Sequence, residues 1–287
     1  MIGIICDSGT DVPRDFFEND NILEIPLNVQ IKDENYQDWK SISPEQVLEF
    51  MKNNFPKTST PSYKTIKDSF LELYKKGYKK ILGITISSAL SGTNNLFSLV
   101  SRELMEEYDD FQAEIIDSIN ISTGSGNLVI KASKLIEKGF NFDQIVSEIK
   151  KSINKSKVFF VIPTLKFLRA GGRIGNVAGV VGELLSIKPI ITVGEDGKYK
   201  SIAKPRSMSK AIDKILNLFK DFVMGETIDF CSIGICSKDD KSISFVNKIK
   251  NYLLEEFSIK DVYNYQAAPS MISHTGPGLI GLSVLIK

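Results

Sequence analysis

The sequence predicts an α/β protein of two domains, the first built on a parallel sheet and the second on a mixed sheet. Three observations carry this prediction. The chain has 287 residues, about twice the ~150 of a typical domain. Short apolar runs alternate with amphipathic segments in its first half, and a hairpin signal lies in its second half. A polar stretch at 154–157 places the boundary, which gives domains 1–155 and 156–287. One large α/β domain is the alternative.

In the first half, the helices are marked by their ends. Ser43-Pro44-Glu45-Gln46 is a capping box with proline at the first helical position, so a helix begins there. Ser62 caps a second helix, which Gly77 ends. Two further helices are predicted at Leu128 to Lys138 and Phe142 to Ile153. The strands predicted between them are Ile2 to Cys6, Ile22 to Ile31, Ile81 to Ser87 and Ala113 to Ile116.

In the second half, Glu195-Asp196-Gly197 lies between two apolar runs and predicts a hairpin, and therefore antiparallel pairing. Met208 to Val223 and Ser242 to Glu256 have the pattern of helices that cover a sheet. The predicted strands are Val158 to Ile162, Ile190 to Val193, Tyr199 to Ala203, Ile228 to Cys236, Val262 to Gln266 and Leu279 to Ile286.

The composition excludes several classes of function. With 36 Lys and Arg against 35 Asp and Glu, the chain has no electrostatic footprint for nucleic acid or anionic membrane. Its three cysteines lie in apolar runs without a C-x-x-C pair, as is typical of reduced core thiols. No apolar run approaches the ~18 residues of a membrane span, and no targeting segment is recognised. We therefore expect a cytoplasmic protein without an integral membrane segment.

Four loops are unusually rich in hydroxyl groups and glycine, and in an α/β fold such loops carry function. They are 7–11, 58–62, 87–93 and 117–118. Helix caps, including Asp11 and Ser62, account for about half of these residues. Loops 58–62 and 87–93 come directly before helices, where backbone amides favour an anion. They indicate a carboxylate or phosphate site.

The chain has one histidine, His274, in a loop with Gly276, Pro277 and Gly278. A single histidine excludes a multi-histidine metal site, and no metal is expected. His274 is either a ligand residue or a satisfied structural one. A serine hydrolase with Ser88 and His274 stays open as an alternative, although the chain lacks a G-x-S-x-G nucleophile elbow.

The turn at 168–175 carries two arginines and lacks the G-x-G-x-x-G spacing of a dinucleotide site.

Taken in order, these stretches resemble the DegV family of bacterial fatty-acid-binding proteins, which includes the binding subunits of fatty acid kinase. The resemblance covers essentially the whole chain. It rests on Asp7-Ser8, 58–62, 87–93, Asp117-Ser118, Gly171-Gly172-Arg173-Ile174, Ile187-Lys188-Pro189 and 274–278. Thr60, where the family often has glutamine, and Gly9, where it often has a hydroxyl residue, depart from the pattern.

The resemblance implies a DegV-like fold in which a long-chain fatty acid lies between the two domains. Matched residue by residue, it implies that Thr58, Ser88 and His274 bind the carboxylate. By the same match, three further hydroxyl residues lie close to the carboxylate: Ser59, Ser87 and Ser91. It also implies a carrier without a catalytic centre or cofactor, which presents the acid to an ATP-dependent fatty acid kinase catalytic subunit for acyl phosphate formation and phospholipid synthesis. Arg173 is then part of the docking surface for that subunit.

The chemistry fits such a carrier. Burying about fifteen methylenes at roughly 0.8 kcal/mol each supplies on the order of 12 kcal/mol before the costs of association. Hydroxyls and one imidazole then only need to satisfy the buried carboxylate. The competing interpretations are a hydrolase in which Ser88 is activated by His274, and a phosphate-binding kinase subunit, for which a Walker motif is missing.

Overall fold

The computed structural model describes residues 1–180, 187–260 and 262–287. Its strands in chain order are β1 (Ile2–Asp7), β2 (Ile22–Ile25), β3 (Asn28–Ile31), β4 (Glu34–Gln37), β5 (Lys57–Ser59), β6 (Lys80–Thr85), β7 (Gln112–Asp117), β8 (Ser156–Val161), β9 (Ile190–Val193), β10 (Tyr199–Ala203), β11 (Ile228–Ile235), β12 (Val262–Gln266) and β13 (Ile280–Ile286). Its α-helices are α1 (Pro44–Phe50), α2 (Tyr63–Lys75), α3 (Thr93–Glu107), α4 (Thr123–Glu137), α5 (Phe142–Ser152), α6 (Lys166–Ala170), α7 (Met208–Val223), α8 (Asp240–Phe257) and α9 (Pro269–Thr275).

The first sheet is parallel, with strand order β2-β1-β6-β7. Alternation along its strands sends side chains to two cores. Ile5 of β1 packs with Phe70 of α2 and Phe97 of α3. Ile4 faces the other way, into the core that holds Leu128 of α4 and residues of α5. Helices therefore cover both faces, as expected for crossover connections between parallel strands.

The predicted strand from Ile22 to Ile31 is wrong in one respect, because the chain forms two strands there. β2 ends before Pro26, which has no N–H to donate to a ladder. β3 then joins a separate antiparallel sheet of order β4-β3-β5. This small sheet pairs Val29 with Thr58, and so fixes the position of the loop 58–62.

The second sheet has strand order β10-β9-β8-β13-β11-β12. β11 and β12 run parallel and the other neighbours run antiparallel, so the sheet is mixed. Apolar residues of α7 and α8, such as Phe219 and Leu253, cover one face. The predicted α/β class, with a parallel sheet followed by a mixed one, is confirmed.

Helix α4 joins the two halves of the molecule. It lies next to the parallel sheet, yet its Asn127 donates to Ser283 Oγ of β13 at 3.2 Å and accepts from Ser232 Oγ of β11 at 2.7 Å. Ser156 Oγ also donates to the carbonyl of Gly124 at 2.6 Å. The two sheets thus share one buried helix, and the division into domains at residue 155 stays a prediction.

The three cysteines are buried and free, as predicted. Burial raises the pKa of both Cys231 and Cys236 to about 12, so neither thiol is reactive. Within 1–180, 187–260 and 262–287, none of the helices has the length and apolar character needed to cross a membrane.

Candidate functional site

The site is organised around α9, a short helix whose seven residues are all buried. Proline begins it, and Gly276 ends it with φ of 76°. A Cβ at Gly276 would lie 2.2 Å from Cδ2 of Phe167, so only glycine fits this close approach. The helix carries Met271 and His274 into the interior.

Two buried aspartates of the first half hold the start of α9. Asp11 accepts a hydrogen bond from the amide of Ala268 at 2.7 Å, and Asp38 accepts from the amide of Ser270 at 2.9 Å. Asp38 also accepts from the hydroxyls of Ser270 and Ser8. Burial raises the pKa of Asp38 to about 7 and that of Asp11 to about 8. Asp11 is the C-terminal cap residue of the 3-10 turn Ser8–Thr10, in a left-handed conformation with φ of 48°, while its carboxyl accepts from Ala268 and Ser122.

A third buried aspartate, Asp7, shapes the loop after β1. It accepts from the amides of Gly9 and Ile86, each at 2.9 Å. Burial raises its pKa to about 7. The carboxyl therefore fixes the ends of two neighbouring strands, β1 and β6, where the hydroxyl-rich loops begin.

His274 meets Thr58 across 216 residues of sequence, with 2.6 Å between Nε2 and Oγ1. Burial, followed by the positive charge of Arg173, lowers the pKa of His274 to about 4, so the imidazole is neutral at pH 7. Nδ1 is buried without a hydrogen-bond partner in the described part of the chain. It faces Gly171, where a Cβ would lie 2.1 Å away. Of the two ring nitrogens, only Nε2 therefore has a hydrogen-bond partner in the described part of the chain.

The side chain of Arg173 folds back onto its own glycine-rich turn. It is half-buried, and its guanidinium donates to the carbonyl of Gly171 at 2.8 Å and, more weakly, to that of Leu90 at 3.5 Å. The side chain lines the same cavity as His274. Its role in docking a partner stays a prediction.

A cavity of about 40 Å³ lies at the Thr58 and His274 pair. Its polar residues come from both halves of the chain: Thr58, Ser59, Thr60, Ser91, Arg173, Ser270 and His274. Leu27, Ile86 and Leu90 form part of its apolar wall. A cationic group and several hydroxyls thus converge on one small space.

A second cavity, of about 30 Å³, lies beside the first. Both are lined by Ile121, Tyr199 and Met271. Its floor includes Gly234 and Gly281, which face each other across β11 and β13. Glycine in the interior of a sheet marks a place where another group comes close to the backbone. The two cavities together run from a polar end to an apolar end.

Two predicted site residues, Ser87 and Ser88, lie away from the cavity at His274. The hydroxyl of Ser87 is buried and donates to the carbonyl of Gly197 at 2.8 Å, which ties the loop 87–93 to the hairpin between β9 and β10. Ser88 is exposed, and its amide donates to Asp117 at 3.2 Å. Neither residue lines the cavity at His274. Thr58, Ser59, Ser91 and His274 do come together, and the roles of Ser87 and Ser88 as ligands stay predictions.

Sequence reasoning missed the buried aspartate Asp38. The sequence offers only a weak indication of Asp38, because this residue lies in a polar stretch between short strands and not in a hydroxyl-rich loop.

Among residues 1–180, 187–260 and 262–287, no group of three His, Cys, Asp or Glu side chains is arranged to hold a metal ion.

Comparison with known proteins points to the family that the sequence motifs resemble. The family model described as "Uncharacterised protein, DegV family" matches residues 1–287. A DegV domain-containing protein of Clostridium acetobutylicum is 35% identical over 288 residues, which covers 100% of this chain and 99% of the relative.

Two solved structures are similar over 100% of this chain and 99% of their own, each with a TM-score of 0.90 and 26% identity. One is a DegV family protein from Thermus thermophilus whose description gives fatty acid binding. The other is a stearic acid-binding protein from Eubacterium ventriosum.

Proposed function

Because the chain belongs to the DegV family, we propose that it binds one long-chain fatty acid between its two halves. The observation that carries this proposal is the Thr58 and His274 pair, at the polar end of two cavities that continue into an apolar interior. The fatty acid binding described for the structural relatives from Thermus thermophilus and Eubacterium ventriosum supports it.

The carboxylate is bound at the polar end. Neutral His274 donates from Nε2 to Thr58 Oγ1, and the Thr58 hydroxyl then donates its own proton to a carboxylate oxygen. Arg173 supplies a positive charge on the same cavity. A carboxylate there is attracted by that charge, and it accepts the hydrogen bond from Thr58 in a desolvated space. Ser59 and Ser91 provide further hydroxyls.

The acyl tail follows the apolar cavity toward Gly234 and Gly281. Cavities of about 40 and 30 Å³ are far smaller than the ~300 Å³ or more of a typical ligand site, so side chains must move to admit the tail. Met271 lies where the cavities meet, and its flexible side chain suits this adjustment. We expect Met271 to rotate when the ligand enters.

The same arrangement favours a carrier over a hydrolase, and we propose that this carrier is cytoplasmic. His274 bonds Thr58, whereas Ser88, the nucleophile of the hydrolase hypothesis, is exposed and hydrogen-bonds through its backbone amide. A carboxylate that accepts from the Thr58 hydroxyl through one oxygen keeps its second oxygen able to attack a phosphoryl group. The carrier then presents its acid to a separate ATP-dependent fatty acid kinase subunit, which forms the acyl phosphate used in phospholipid synthesis.

Native mass spectrometry of the purified protein tests the binding proposal. We expect about one equivalent of a long-chain fatty acid, released on denaturation and identified by its mass. A protein that carries no lipid and takes up none from added oleate or palmitate contradicts the proposal. If the protein instead cleaves ester substrates, and Ser88→Ala abolishes that cleavage, the hydrolase hypothesis replaces it.

A second pair of assays tests presentation to the kinase. Acyl phosphate formation is measured with the catalytic subunit and ATP, and bound lipid is measured on the same samples. Arg173→Glu and Arg173→Lys are compared. Loss of phosphorylation with lipid retained in the glutamate variant supports docking through Arg173. Loss of lipid instead assigns Arg173 to the carboxylate site, and phosphorylation of normal rate excludes the docking role.

A further inference from the structure

A larger cavity, of about 610 Å³, lies away from the fatty acid site. It is formed by residues 11–15 and Trp39 of the first half, and by β11, β12 and α8 of the second half. It shares no lining residue with either cavity of the proposed fatty acid site. Its volume falls within the range of roughly 300 to 1,000 Å³ that small-molecule sites occupy.

Two lysines supply the unpaired positive charge of this cavity. Lys238 and Lys250 line it together with Arg14, which is already paired with Glu24 at 2.6 Å, and the carboxyl groups of its lining are those of Asp15 and Asp11. Asp11 is buried and already accepts hydrogen bonds from Ala268 and Ser122, so it offers little charge to the cavity. Within the described ranges, neither Lys238 nor Lys250 forms an ion pair with a carboxylate. Both lysines therefore line the cavity without a carboxylate at ion-pair distance, although the pKa of Glu45, which is lowered first by its hydrogen bond with Gln266, is also lowered by the charge of Lys238.

An aromatic wall lies beside these cations. Trp39, the single tryptophan of the chain, is half-buried at the cavity, and Tyr265 lines it as well. Trp39 has φ of 63°, a conformation that bulky residues rarely adopt, and it lies in the turn after β4. The guanidinium of Arg14 lies 5.2 Å from the centre of its ring. The Trp39 ring that lines the cavity thus carries the Arg14 guanidinium over one of its faces.

We propose that this cavity binds an aromatic organic phosphate of about the size of a nucleoside monophosphate. The phosphate is held by Lys238 and Lys250, and the ring packs against Trp39. Lysine binds phosphate as a point charge, and aromatic side chains stack on flat rings regardless of their exact substituents. Because both halves of the chain contribute residues, a ligand here contacts the two halves at once.

The test uses the full chain with AMP as the probe, and measures both Trp39 fluorescence and the heat of binding. We expect AMP to bind and to change the fluorescence, and we expect adenosine and inorganic phosphate each to bind at least tenfold more weakly. The double variant Lys238→Glu, Lys250→Glu should weaken AMP binding at least tenfold. Lys214→Glu on α7, an exposed lysine outside the cavity, should leave it unchanged.

Three outcomes overturn the proposal: no heat and no fluorescence change with AMP, equal binding by the double variant, or equal binding of inorganic phosphate and AMP. Circular dichroism establishes that the double variant is folded. Its fatty acid content by native mass spectrometry should match that of the unmodified protein. A failure at this cavity is thereby separated from a failure of the proposed fatty acid site.

Discussion

The hydroxyl of Thr58 is the contact whose removal tests the head-group chemistry most directly. Thr58→Val keeps the shape of the side chain and removes the oxygen that lies 2.6 Å from His274 Nε2. In the complex, the variant loses the donor that we assign to the carboxylate. Hydrogen bonds to charged groups contribute about 1.5 to 3 kcal/mol, which corresponds to roughly 10- to 150-fold weaker binding.

The free protein also changes, because His274 is only 7% exposed and the variant leaves both of its ring nitrogens without a partner within the described ranges. An unsatisfied buried group costs about 1 to 3 kcal/mol of stability. We therefore expect a lower midpoint of urea unfolding together with the weaker affinity. The tail contacts are untouched, so lipid is still bound at high concentration.

The assay is competition of palmitate against a fluorescent fatty acid, with the affinity measured for four proteins. Thr58→Ser keeps the hydroxyl and should restore binding to within a few-fold of the unmodified chain. Thr227→Val removes an exposed threonine hydroxyl far along the chain and serves as the matched control. If Thr58→Val binds palmitate as tightly as the unmodified protein, the carboxylate does not lie at the Thr58 and His274 pair.

Two further predictions concern the imidazole and the tail. Since the pKa of His274 is lowered from 6.5 to about 4 in the folded state, its neutral form contributes stability that is present above pH 6.5 and lost as the pH falls toward 4. The loss is about 3 kcal/mol, and it should appear as the difference between the unmodified protein and His274→Gln in urea unfolding at several pH values; parallel curves would contradict it. Gly281→Val places an isopropyl group at the proposed tail cavity, next to Phe160. Mass spectrometry of bound lipid should then show shorter chains, and an unchanged lipid profile would mean that the tail lies elsewhere.

Local sequence signals predicted most of the elements closely. Helix α7 and the hairpin strands β9 and β10 have the predicted bounds, because their periodicity, caps and turn residues act over a few neighbouring positions. The capping box at Ser43 and the cap at Ser62 are also confirmed. The one predicted strand that divides does so at Pro26. The apolar pattern predicted a continuous strand, but in the structure the proline ends β2.

The sequence by itself therefore determined the fold class, the helices and strands, and the hydroxyl-rich loops that carry the family resemblance. Only the tertiary structure decided which of those loops meet. The contact of Thr58 with His274 spans 216 residues, and that of Asp38 with Ser270 spans 232. Such pairings depend on how sheets and helices pack, because no local propensity links positions so far apart. The same packing turns Arg173 inward and buries α4 between two sheets, which no pattern within either segment encodes.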